Sequence, residues 1–312
     1  MVTAALCFCT AALVHGAGRT PFSGARVPVV QHATLAPRPL PVRAAPARTQ
    51  PWMAAAAAVS TATNPRGLER IRFTSTLNLV SLIFVVNCLV WGLLITPAML
   101  VACLLDKRRV LVSRLGNLWG RVVLLASGYR TKVLGAENLP PADEAVMYVS
   151  NHCSYLDIPV TGLLGRPFKY VAKAEVKKIP VVGWKLGLAK DLCVARGDRR
   201  SEARVFVDAV KTLKEGLAVI AFPEGTTTPT GRLLPFKRGP FKMAVSAGAR
   251  VVPLTIVGTY QAWPKGFKGP QYFTPLSIQV HPPLDPTSLT EEELCDKAAA
   301  AIESGLPPEM RS

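Results

Sequence analysis

Acidic residues are missing from the first 68 positions of this 312-residue chain, which hold six Arg and no Lys, Asp or Glu. The same stretch is rich in Ala, Pro and Thr and shows no sustained apolar period, which excludes a packed domain and matches an organelle transit peptide. Its first 14 residues are apolar and uncharged like the centre of a secretory signal, although the basic start of such a signal is absent. A signal followed by a transit-like stretch suits a plastid membrane reached through the secretory route, with the endoplasmic reticulum membrane as the alternative. Histidine is scarce, at four residues, and none of the seven Cys stands in a Cys-x-x-Cys pair. That excludes the usual spacing of a zinc site and leaves the thiols reduced and mostly structural. Charge of either sign is missing from the 32 residues Thr74 to Leu105, between Arg70 and Arg72 on one side and Asp106-Lys107-Arg108-Arg109 on the other. About 20 apolar residues suffice to cross the hydrocarbon layer, so this segment belongs in a membrane. Trp91-Gly92 and Pro97 could bend it into a re-entrant hairpin.

What is present is a chain with 49% hydrophobic residues and a net charge of +17, enough apolar material for one sizeable core. Residues 110 to 127 place Leu111, Leu115, Leu118, Trp119 and Val122 at helical spacing, interrupted by Arg114, Asn117 and Arg121. This fits an interfacial amphipathic helix, and a core-packed helix nearly as well. Beyond Gly128, short apolar runs at Val146–Ser150, Lys169–Ala172, Leu217–Phe222 and Arg250–Val257 read as strands. A helix is predicted over Ser201–Glu215, and another opens on the Thr290/Glu293 capping box and closes near Gly305 and Pro307. Alternating strands and helices predict an α/β fold with a mixed, largely parallel sheet flanked by helices, preceded by a membrane-associated helical segment. The chain divides into a cleavable targeting region at 1–68, an anchor with its amphipathic helix at 69–130 and a catalytic domain at 131–312.

The segment Asn151-His152-Cys153-Ser154-Tyr155-Leu156-Asp157 carries the clearest chemistry. Five residues of straight helix turn about 500°, so His152 and Asp157 would face apart on one helix. They meet only if His152 lies in a strand-to-helix turn and Asp157 in the first helical turn, at the carboxyl end of a strand where open α/β sheets place their ligand sites. Asp157 can then accept the imidazole N–H and support the imidazolium that forms when the ring takes a proton from a hydroxyl. A Cys-His hydrolase reading of Cys153 is disfavoured, because neighbours in sequence point in different directions. The second segment is Phe222-Pro223-Glu224-Gly225-Thr226-Thr227, in which Pro223 ends a strand and Gly225 lets backbone N–H groups approach an anion. Glu224 is read as anchoring its loop through backbone hydrogen bonds. Lys169, Lys173, Lys177, Lys178, Arg196, Arg232, Lys237, Arg238 and Lys242 flank the two segments. They suit a phosphate ester, and without interleaved aromatics and with a membrane segment ahead of them they do not suit nucleic acid.

Together these residues resemble the 1-acylglycerol-3-phosphate acyltransferases of the glycerolipid acyltransferase superfamily. The resemblance runs from about Thr131 to Pro286 and rests on four stretches in order: Asn-His-x4-Asp at 151 to 157, Lys173 to Gly187 leading into Val194-Ala195-Arg196, Phe-Pro-Glu-Gly-Thr at 222 to 226, and Val252-Pro253-Leu254. It implies transfer of a fatty acyl group from acyl-CoA or acyl carrier protein to the sn-2 hydroxyl of lysophosphatidate, at a membrane, with no metal and no bound cofactor. By the same resemblance His152 is the general base, Asp157 its partner, and Glu224, Gly225 and Thr226 help to bind the acceptor phosphate. These enzymes usually carry Arg directly after Gly-Thr, where this chain has Thr227. Arg196 and Lys237 are therefore the candidates for the missing positive charge. The same departure keeps open an acceptor with a headgroup, and a non-catalytic membrane scaffold is the remaining alternative.

Overall fold

The computed structural model describes residues 78–195 and 197–312, so the expected targeting region at 1–68 and Arg196 lie outside the described residues. Two helices come first, α1 (Leu79–Leu105) and α2 (Val110–Ala126). They are joined by four residues and pack antiparallel: Val112 meets Met99 and Ala102 near the turn, while Trp119 donates its indole N–H to the Cys88 carbonyl at 3.3 Å farther back. The uncharged segment is one unbroken helix through Trp91, Gly92 and Pro97, not a re-entrant hairpin. Its 27 residues span about 40 Å, at 1.5 Å per residue.

Helix α1 is docked on the rest of the chain along its length. Near its start Ser81 donates to the Pro270 carbonyl at 2.6 Å, and near its end Cys103 lies 3.7 Å from the Leu188 carbonyl. In between, Gly92 gives way to Val181: a Cβ there would come within 2.5 Å of a Val181 methyl. Its other side exposes Leu79, Leu82, Leu93, Leu94, Leu104 and Leu105.

The buried face of α2 is made of Val112, Ser113, Gly116, Asn117, Trp119, Gly120, Val123 and Leu124, whereas Leu111, Leu118 and Leu125 point outward at seven-residue intervals. The small polar side chains have specific work there. The Ser113 hydroxyl bonds both backbone groups of Phe168, at 2.5 and 2.9 Å, and Asn117 donates to the Arg166 carbonyl at 2.6 Å. Helix α2 is therefore core-packed, and like α1 it leaves a set of leucines exposed.

The remainder is an α/β domain. The strands are β1 (Thr131–Leu134), β2 (Met147–Ser150), β3 (Phe168–Lys173), β4 (Leu192–Val194), β5 (Ala218–Ala221), β6 (Val251–Val257) and β7 (Leu276–Val280). They form one sheet in the order β1-β7-β6-β2-β5-β3-β4, parallel throughout except for the antiparallel β6/β7 pair. The helices are α3 (Asp157–Thr161), α4 (Val182–Leu188), α5 (Arg199–Lys214), α6 (Gly239–Ala247), α7 (Thr259–Ala262) and α8 (Glu291–Gly305). On one face α1 to α4 cover a core containing Tyr148, Leu156, Phe168 and Ile220. On the other, α5, α6 and α8 cover Met147, Val149, Val219 and Val251. With both faces covered, β2 and β5 are apolar or small at every position and wholly buried.

The expected mixed, largely parallel sheet is present, and the predicted strands and helices agree with it to within one or two residues. Helix α5 begins at Arg199, two residues earlier than predicted, because Asp198 caps it by accepting from the Arg200 N–H at 2.9 Å. The Thr290/Glu293 capping box of α8 is formed from both sides.

Candidate active site

Strands β2 and β5 lie side by side in parallel with Val149 opposite Ala221, so the chain leaves both at the same edge of the sheet. Asn151, the first residue beyond β2, extends the pairing toward β6 with its side chain, accepting from the Ile256 N–H at 2.8 Å and donating to the Ile256 carbonyl at 2.9 Å. This fixes the turn on which His152 stands.

The His152 ring Nδ1 lies 2.8 Å from Asp157 Oδ2. Asp157 is fully buried at the first position of α3, and the same oxygen accepts from the Cys153 and Ser154 N–H groups at 2.8 and 2.9 Å. The turn-plus-first-helical-turn geometry needed for the two residues to meet is thus present. An ionised carboxylate can only accept, so Nδ1 carries the proton and Nε2 presents its lone pair. The ring stacks on Phe222 at 4.2 Å between centroids and 21° between planes, and borders the cavity described below. Cys153 is buried with Sγ 3.2 Å from Thr259 Oγ1, and burial pushes its thiol well above the ordinary range, so it is no candidate nucleophile.

Glu224, which the family resemblance assigns to the acceptor phosphate, is engaged by backbone N–H groups. Its Oε1 accepts from the His152 N–H at 2.6 Å and its Oε2 from the Leu234 N–H at 3.1 Å, in a nearly closed environment. Burial raises its carboxyl to about 8, and the two N–H groups oppose that rise. Both oxygens are spent on backbone. Glu224 anchors the two motif loops to each other.

Gly225 follows with φ of +69°, a value that favours glycine. Its N–H closes a turn onto the Phe222 carbonyl at 2.9 Å, and the Thr228 N–H donates to the His152 carbonyl at 3.1 Å. Among the described residues the N–H groups of Thr226 and Thr227, which lie between, bond to no backbone or side-chain acceptor. Lys237 braces the same loop through its backbone, donating to the Pro223 carbonyl at 3.0 Å, but its side chain is exposed and does not border the cavity.

The cavity holds about 690 Å³ and runs from His152, Phe222, Gly225 and Thr227 into a lining supplied by Phe84 and Leu89 of α1, Trp119 of α2, and Val176, Ile179 and Val181 ahead of α4. Lys185 also borders it. This lysine is paired with buried Asp191 at 2.6 Å and lies 4.4 Å from the centre of the Tyr170 ring. Asp191 accepts from the Tyr170 N–H at 2.9 Å as well, and burial pushes its carboxyl upward against the pull of Lys185. No sequence signal marks this pair, or Trp263 on the cavity wall, because a Lys and an Asp six residues apart across a helix end form no motif.

A protein-family model described as Acyltransferase matches residues 130–257. A 1-acyl-sn-glycerol-3-phosphate acyltransferase from Chlamydomonas reinhardtii is 39% identical over 206 residues, covering 66% of this chain and 61% of that protein. A chloroplastic 1-acyl-sn-glycerol-3-phosphate acyltransferase from Brassica napus is 35% identical, covering 60% of this chain and 54% of its own length. The chain thus spans little more than half the length of these relatives. The crystal structure of the 1-acyl-sn-glycerophosphate acyltransferase from Thermotoga maritima superposes with a TM-score of 0.63 at 31% identity, over 73% of this chain and 93% of that one. With the α/β sheet and the two motif loops at one edge of it, these similarities show that the chain belongs to the 1-acyl-sn-glycerol-3-phosphate acyltransferase family.

Proposed function

We propose that the protein transfers a fatty acyl group from an acyl thioester, on coenzyme A or acyl carrier protein, to the sn-2 hydroxyl of lysophosphatidate, giving phosphatidate. The observation that carries this reading is the His152 Nδ1 to Asp157 contact of 2.8 Å on the border of a largely apolar cavity, which leaves Nε2 as the base. As the acceptor oxygen attacks the thioester carbonyl, its proton passes to Nε2 and Asp157 stabilises the imidazolium. The tetrahedral intermediate then expels the thiolate, which takes the proton back from His152, so ester and free thiol leave without an acyl-enzyme. The apolar lining suits the acyl chain of the donor. Glu224 serves as a positioning residue, since it holds the His152 backbone.

Purified protein given one labelled acyl donor and a panel of lysolipids is expected to acylate lysophosphatidate most efficiently. Preference for an acceptor with a choline or ethanolamine headgroup would favour the second reading, which Thr227 supports by supplying no charge where relatives usually place Arg. Absence of transfer to any acceptor would sink both.

The proposed setting is a plastid membrane, with the leucine-bearing face of α1 and the Leu111, Leu118 and Leu125 stripe of α2 in lipid. Support comes from these exposed leucines and from the chloroplastic Brassica relative. A carboxyl-terminal fluorescent fusion expressed in a plant cell is expected in plastid membranes and should resist extraction by high salt. Residues 1 to 68 alone should carry a reporter to the same organelle. A cytosolic reporter would refute the targeting role, and release by salt alone would refute burial of the leucines.

A further inference from the structure

We propose that Lys265, which belongs to none of the four motif stretches, binds the acceptor phosphate together with the open N–H groups of Thr226 and Thr227. The assignment rests on the reading above, in which the acceptor carries a phosphate next to the reacting hydroxyl.

Lys265 donates from Nζ to the Thr227 carbonyl at 2.8 Å. That carbonyl belongs to the same peptide unit whose N–H, from Thr228, bonds the His152 carbonyl at 3.1 Å. One peptide group therefore separates the ammonium from the turn that carries the base. Just before that peptide in the chain stand the Thr226 and Thr227 N–H groups, without partners among the described residues and directly after the positive-φ Gly225. Successive open N–H groups after such a residue form a concavity suited to an anion. An ammonium has three donors, so Lys265 keeps two for phosphate oxygens after bonding Thr227.

Like Lys237, Lys265 is exposed and does not border the cavity, but its ammonium is held on the carbonyl of Thr227, a residue that does. Trp263, two residues earlier, accepts from Ser154 Oγ at 2.9 Å through its carbonyl and donates its indole N–H to Phe267 at 3.0 Å. At the far end of the same loop, Gly269 and Gln271 pack against Ser81 and Asn78 of α1. Three cations near the second motif are engaged elsewhere: Arg238 pairs with Glu292, Lys242 with Glu291, and Lys185 with Asp191, while Lys237 holds the loop through its backbone. Lys265 thus supplies from a different loop the positive charge that Thr227 does not.

The test compares kcat/KM of the full chain and its Lys265→Gln and Lys265→Arg variants for lysophosphatidate and for lysophosphatidylcholine, with the KM for the acyl donor measured alongside. Glutamine can still donate to the Thr227 carbonyl but has no charge. Loss of a charge-assisted contact should lower kcat/KM for lysophosphatidate by about tenfold to a hundredfold, through KM. The choline phosphodiester, with one charge fewer, should be affected much less, the donor KM should not move, and Lys265→Arg should retain most of the activity. Adding Thr227→Arg to Lys265→Gln should restore lysophosphatidate use. An equal loss for both acceptors, or a loss in kcat alone, would assign Lys265 to loop positioning and overturn the proposal, as would unchanged kinetics. If the unsubstituted protein fails to acylate lysophosphatidate at all, the acceptor reading falls first and the Lys265 assignment with it.

Discussion

Replacing His152 with alanine is expected to lower turnover by about 10² to 10⁴-fold, the usual contribution of a well-placed general base. The fold should survive the change. The ring is partly exposed and its lost contacts are the Phe222 stack and the Asp157 hydrogen bond, while the backbone N–H remains tied to Glu224. Measured on purified protein, the variant should keep the circular dichroism spectrum and membrane association of the parent and lose the acyl transfer. Turnover near that of the parent, at any pH between 6 and 9, would remove His152 from the mechanism.

The second large effect is expected at Asp157, where the isosteric change to asparagine separates charge from shape. The buried carboxylate oxygen that serves His152 also accepts from the Cys153 and Ser154 N–H groups, and an amide oxygen in its place can still accept all three. Asp157→Asn should therefore fold, while turnover falls by about a hundredfold or more, because a neutral amide does not stabilise the imidazolium. Asp157→Ala should add a loss of stability, about 1 to 3 kcal/mol for each buried N–H left without an acceptor. A fall in kcat for Asp157→Asn with KM unchanged is the expected pattern, and full activity in that variant would refute the partnership with His152.

The parts of this molecule legible in the sequence are those where one physical signal dominates. Strands β2 and β5 are short, apolar or small at every position and bounded by turn residues, because both faces of the sheet are covered. The Thr290/Glu293 capping box acts within three residues and is equally plain, whereas the lone Asp198 cap of α5 is not. Strands β1 and β4 are short and carry partly exposed positions, and β7 alternates between buried and half-buried residues, so none makes a continuous apolar run. Pro97 and Gly92 misled in the other direction: each can break a helix, but packing against α2 and Val181 holds α1 straight. Helix α2 buries a face that mixes apolar residues with Ser113, Gly116, Asn117 and Gly120, which permit close backbone approach, while Leu111, Leu118 and Leu125 face out. The His152, Asp157 and Glu224 cluster was readable because His152 and Glu224 follow within three residues of buried strands and Asp157 opens the helix after the first of them. Lys265 was not, since its place depends on a loop folded between two distant elements.

Because Val149 stands opposite Ala221, His152 and Glu224 each lie three residues beyond a common level on the sheet. The length of chain that joins them does not enter that relation. Surface connections within residues 161–217 can therefore grow at small entropic cost, about 0.6 kcal/mol for each doubling of a loop. One residue gained or lost inside β2 or β5 would instead turn every later side chain of that strand to the opposite face and carry its loop out of step with the other. The domain is thus tolerant of insertion between its two motif loops and intolerant of it within the few residues of strand that set their phase.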